Sequence, residues 1–126
     1  RVNPQTYLPD VAMTLNNLGL LQSKQHKFEA AEQSYRRALD IRRAFAEAMP
    51  QAYDLPVCET NLNLVIFYFN KFKRQVGTEE DAAQFVALLA DVEMRLQRFP
   101  AELPLVKRMW DAVHHYKQFL DGAGAE

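Results

Sequence analysis

Cysteine is nearly absent from this sequence. Cys58 is the only one in 126 residues, so no intrachain disulfide holds the fold. Glycine is scarce as well, at four, and two of these, Gly122 and Gly124, sit in the polar stretch DGAGAE. The body therefore lacks the residue that tight hairpin turns need, which argues against an all-β fold. A surplus of either charge is also missing. Fifteen Lys and Arg face 16 Asp and Glu, for a formal net charge of −1, which disfavours a dedicated nucleic-acid or polybasic membrane binder. No run of about 18 apolar residues exists to span a bilayer. The apolar fraction, 48% against 25% charged, suits one folded domain whose core needs neither bridge nor metal.

Proline is sparse but ordered. Its six residues fall in three pairs, Pro4 and Pro9, Pro50 and Pro56, Pro100 and Pro104. Because proline ends helices and suits their first turn, the pairs read as boundaries between helical blocks.

Laid over the second boundary at an offset of 46, the first exposes an internal repeat. Pro4, Gln5, Tyr7, Val11, Thr14, Asn17 and Leu18 meet Pro50, Gln51, Tyr53, Val57, Thr60, Asn63 and Leu64. Seven identities in 17 positions exceed what composition supplies, and such a period signals stacked helical units. Apolar residues at helical spacing then predict five helices, near 9–23, 28–48, 55–72, 79–98 and 104–120. The first carries Val11, Leu15, Leu18 and Leu21 or Gln22; the last carries Val106, Met109, Trp110, Val113, Tyr116 and Leu120. Thr78 is the expected N-cap of the fourth helix, with Glu79, Glu80 and Asp81 at the positive end of its dipole.

The segment TLNNLGLLQSKQHKFEAAEQSYRRAL, with Leu15, Leu18, Gly19, Ala31, Tyr35 and Ala38 at signature spacing, resembles the tetratricopeptide repeat. Its period is longer than the standard ~34 residues and is similar to that of kinesin light chains and bacterial tandem arrays. The resemblance implies an all-α fold of antiparallel helix pairs stacked as a short right-handed superhelix. It divides the chain into unit 1 over 1–49, a degenerate unit 2 over 50–99, a capping helix over 100–120 and a flexible tail over 121–126. Val65 stands in unit 2 where the small Gly19 stood, and the link from Asn70 to Thr78 is longer by about six residues than its counterpart.

In that family the first helix of each unit lines a concave groove, and an asparagine at the place of Asn17 often bonds the backbone of a bound peptide. Asn63 is its equivalent, and an amide suits the role because it donates and accepts. Carried over, the groove comprises Met13, Asn16, Asn17, Leu20 and Lys24 with Glu59, Leu62, Asn63, Ile66 and Asn70. The alternative is that both asparagines bond neighbouring helices. Leu62, Ile66 and Phe69 lie off the stripe packed within their own unit, so they face either a ligand or the fifth helix.

Other motifs carry less. Arg36, Arg37, Arg42 and Arg43 interleave with Glu29, Glu32, Asp40 and Glu47, which predicts a salt-bridged solvent face. The run Lys71 to Arg74 is one basic patch without a second. His114 and His115 diverge by about 100° on a helix and make a poor metal pair. His26 falls in a turn that suits a positive φ. Cys58 aligns with Ala12, a small packed position, and no nucleophile has a base at a recognisable spacing. The expectation is thus a non-catalytic interaction scaffold in the cytoplasm, with no cofactor and no metal, binding a protein or peptide partner and neither nucleic acid nor membrane. Because the chain opens with Arg1, it is expected to be part of something longer. A homo-oligomer or an array extension through the open amino-terminal face is the runner-up, followed by a sensing domain that regulates an attached effector.

Overall fold

A computed structural model describes residues 3–124, which form five α-helices: α1 Pro4–Lys24, α2 Phe28–Ala48, α3 Pro50–Lys73, α4 Glu79–Leu96 and α5 Pro104–Gly124. Each helix packs chiefly on its neighbour in sequence, and α3 also touches α1 and α5. That is a stack of helix pairs, with α5 in the place a third unit's first helix would take. Among the described residues no helix is long and apolar enough to cross a membrane.

Two helices begin earlier than the periodicity predicts. Asn3 accepts the N–H of Gln5 at 3.0 Å and caps α1, while Pro4 and Pro50 take first-turn positions where no N–H is needed. Pro9 and Pro56 then lie inside the helices instead of marking their start. Each removes a donor from the carbonyl four residues back, Gln5 or Ala52. Both of those residues are exposed, so water satisfies what the helix cannot. At the other end α5 continues through Asp121 to Gly124, within the predicted tail; Ala125 and Glu126 lie outside the described residues, as do Arg1 and Val2.

Both first helices end in the same device. His26 and Gln75 each adopt φ 62°, and the following N–H, of Lys27 or Val76, reaches back to the carbonyl of Gln22 or Lys71 at 2.8 and 3.0 Å. This left-handed closure sends the chain back antiparallel. On the carboxyl side of the longer link, Thr78 and Asp81 cap α4 reciprocally, each side chain accepting the other's backbone N–H at 3.0 Å.

The buried face of α1 is Ala12, Leu15, Asn16 and Gly19, whereas Leu18 and Leu21 of the predicted stripe are exposed. Small residues win here because α2 approaches closely. A Cβ on Gly19 would stand 2.7 Å from the Tyr35 ring, itself 2% exposed. Gly19→Ala is therefore expected to destabilise by about 1–3 kcal/mol through overpacking, despite alanine's better helix propensity. Urea unfolding checks this, and a stabilised variant would contradict it.

One core runs through the whole stack, from Ala31 and Tyr35 through Leu64, Phe67 and Phe85 to Val106 and Val113. Phe69 settles against α5, with ring centroids 5.1 Å from Tyr116 and 4.9 Å from Phe119. Leu62 is buried and Ile66 stays exposed, so the three residues that fall off the unit's own stripe divide between core and solvent. The basic run is likewise spoken for: Lys71 pairs with Asp81 at 2.7 Å, Phe72 packs on Phe85, and Lys73 and Arg74 lie over Phe69 and Phe28.

Candidate functional site

The first helices α1 and α3 meet through a polar joint. Asn16, 3% exposed, accepts with Oδ1 from Asn63 Nδ2 at 3.0 Å and from Thr60 Oγ1 at 3.1 Å. Thr60 in turn accepts from Arg42 Nη1 at 2.9 Å, and the same nitrogen donates to Glu59 Oε1 at 2.8 Å and to the Pro56 carbonyl at 3.1 Å. Three helices are thus tied at one place.

Two outward stripes flank that joint. Met13, Asn17, Leu20 and Lys24 are exposed along α1; on α3, Glu59, Ile66 and Asn70 are exposed and Asn63 is half-buried. Their spacings of four, three and four residues match one helix face each. The remaining two residues of the predicted groove, Asn16 and Leu62, are buried between helices and support the stripes from below. Among the described residues the Asn17 amide has no hydrogen-bond partner, while that of Asn63 is engaged with Asn16.

Hollows open at both ends. One, of about 140 Å³, is lined by Pro9, Met13, Ile41, Arg42, Phe45, Tyr53 and Pro56. The other, about 200 Å³, lies among Ser23, His26, Phe28, Phe67, Asn70 and Arg74. The surface between them offers apolar centres, Leu20 and Ile66, amide groups, and one charge of each sign in Lys24 and Glu59.

Residues 12–45 match the family model described as tetratricopeptide repeat. This segment is a tetratricopeptide repeat. The match spans most of α1 and α2, the pair whose Gly19 and Tyr35 interlock. No curated protein and no solved structure matches the chain.

Two of the four arginines of the repeat's second helix, Arg36 and Arg42, leave the solvent face that their spacing predicts, whereas Arg37, Glu29, Asp40 and Glu47 stay on it. Arg42 is 7% exposed, and Arg36 Nη2 donates to Tyr68 Oη at 2.7 Å and Gln84 Oε1 at 2.8 Å. Tyr68 in turn donates to Glu32. Stacking turns this part of α2 toward α3 and α4, so these two cations serve joints between helices.

A second polar seam, between α3 and α4, escaped the sequence reading. Asp54, Cys58 and Asn61 on α3 face Asp91 and Arg95 on α4 and Arg98 in the turn just after it, each set spaced four and three apart. Asp54, fully buried, accepts from Arg95 and Arg98 at 2.6 Å each. Asp91 accepts from Arg95 at 2.9 Å and from Asn61 at 2.7 Å. The matching spacings were the available signal.

Cys58 lies inside this seam, fully buried. Burial first, then the neighbouring Asp91, pushes its thiol up to about 12. At pH 8 only about one thiol in ten thousand is then ionised, so iodoacetamide should leave the native chain unmodified and label it once unfolded. Labelling of the native chain at the rate of a free thiol would contradict this burial. The sign for stability follows: the contribution is full below the ordinary thiol value of 9.0 and is lost as pH rises toward about 12.

Among the described residues no three His, Cys, Asp or Glu side chains cluster as metal ligands would.

Proposed function

We propose that the chain is a non-catalytic protein–protein interaction module that holds an extended segment of a partner protein along α1 and α3. The observation that carries this reading is the pair of outward stripes over a joint whose hydrogen bonds are already made without a ligand. A surface fixed in advance loses little entropy on binding. Asn17 supplies an uncommitted amide for a peptide backbone, Leu20 and Ile66 supply apolar contact, and α3 with α4 acts as a diverged second unit that completes the groove.

Selection of random peptides on the immobilised chain tests this. Peptides so obtained should lose at least about tenfold in affinity, roughly 1.4 kcal/mol, on Asn17→Ala with Leu20→Ser, while the melting temperature holds. Unchanged affinity would sink the groove. Asn17 is the cleaner probe, because Asn63→Ala also removes a donor from Asn16.

A second reading, array extension, has its own support. Tyr7, Leu18 and Leu21 are exposed and Val11 is half-buried. Their repeat counterparts Tyr53, Val57, Leu64 and Phe67 are buried or half-buried, with Tyr53 and Phe67 against Phe45 and Tyr35 of α2. A further helix pair with an α2-like face would cover them in the same way. Sedimentation at rising concentration separates this from self-association, which alone makes the mass climb.

A further inference from the structure

The slot at the amino-terminal end of the groove has apolar walls and one charge. Pro9 and Met13 of α1, Phe45 of α2 and Tyr53 of α3 are among its walls, and Arg42 borders it. Its volume of about 140 Å³ far exceeds the ~10–15 Å³ that one water needs. Arg42 is 7% exposed, and all three of its hydrogen bonds leave from Nη1. Nε and Nη2, the parallel donors on another edge of the guanidinium, make none among the described residues. The one carboxylate paired with Arg42 is that of Glu59, whose side chain is 54% exposed and so remains largely solvated.

A cation held nine-tenths buried with two parallel donors unused matches the two oxygens of a carboxylate. Neither nitrogen is sealed off, since among the described residues Asn61 Oδ1 is the one buried side-chain polar atom without a partner, so an incoming carboxylate can reach both, and an amine in the same place would be repelled. The walls ask for methylenes. We infer that the slot receives a glutamate side chain of the partner segment, its carboxylate on Nε and Nη2 of Arg42 and its methylenes between Met13, Phe45 and Tyr53. A glutamate supplies both parts from one side chain and lets the segment continue along the groove toward Asn17. This assignment rests on the groove reading and adds the chemistry of one position to it.

Single-residue probes test the slot without a groove ligand. N-acetylglutamate N-methylamide, its glutamine counterpart and N-acetylleucine with a free carboxylate are titrated into the full chain. The readout is the NMR shifts of the Arg42 Nε–H and of the Met13, Phe45 and Tyr53 amides. The glutamate probe should move all four, with the glutamine probe roughly tenfold weaker and the leucine probe weaker than glutamate. Arg42→Gln, which removes both the charge and the parallel donors, should abolish the preference for glutamate over glutamine. Because that variant disturbs a buried joint, Met13→Trp serves beside it: position 13 is half exposed, so the fold survives while the slot fills and the shifts vanish. Equal response to glutamate and glutamine overturns the inference, as does no response, or a stronger one to the leucine probe, which would make the slot a site for a chain terminus. Peptides sensitive to Asn17→Ala with Leu20→Ser but indifferent to Met13→Trp would leave the groove standing and remove only the slot. Probes that seat here while no peptide is sensitive to the groove variant would do the reverse.

Discussion

Asp54→Ala is expected to lower stability by about 3 kcal/mol, near the low end of the ~3–5 kcal/mol typical when one member of a buried ion pair is removed. The carboxylate is fully buried and holds two guanidinium groups at 2.6 Å. Without it Arg95 retains Asp91 alone, and Arg98, whose side chain is 47% exposed, turns to water. That partial escape is why the low end applies. For a chain of this length the loss corresponds to a melting temperature roughly 10 °C lower. Calorimetry with urea unfolding decides, and a change below about 1 kcal/mol would mean that the seam is solvated in solution.

Phe85→Ala carries the other large effect, about 3–5 kcal/mol. Its ring is fully buried, with centroids 5.7 Å from Phe72 and 6.0 Å from both Tyr116 and Phe119. The side chain thus joins the end of α3, the start of α4 and the carboxyl half of α5. A cavity there should loosen α5 before it loosens the repeat. Hydrogen exchange is expected to speed up in α5 while the amides around Gly19 and Tyr35 stay protected. Uniform loss of protection would contradict this order, because it would make the five helices one cooperative unit.

How far the sequence discloses this molecule depends on the range of the interaction involved. Helix periodicity, the Thr78 and Asp81 capping box and the turn at His26 are decided within a few residues, and these are readable from the chain. The repeat itself is visible because Pro4 to Leu18 and Pro50 to Leu64 share residues that solve the same packing problem. Helix starts were harder. Pro9 and Pro56 look like boundaries, yet an earlier proline already occupies each first turn and solvent serves the freed carbonyls. Side chains that bridge stacked helices were the least legible. Arg42 reads as one of four cations on a solvent face until α3 is laid across α2, and Asp54 acquires its arginines only when α4 folds back from a link long enough to hide which residues oppose. The two exposed stripes were legible because exposure follows helix geometry. The joint of Asn16, Thr60 and Arg42 beneath them was not, because it exists only between helices.

The central claim is that α1 and α3 together present a preformed surface for a partner segment. Methyl NMR of the full chain, titrated with a peptide selected on it, tests this most directly. Shifts are expected at Met13, Leu20 and Ile66, with the Leu39, Leu64 and Val92 methyls of the core unmoved, as a surface fixed in advance requires. Shifts confined to Val86 and Met94 on α4, or a rearrangement spread through the core, would contradict it.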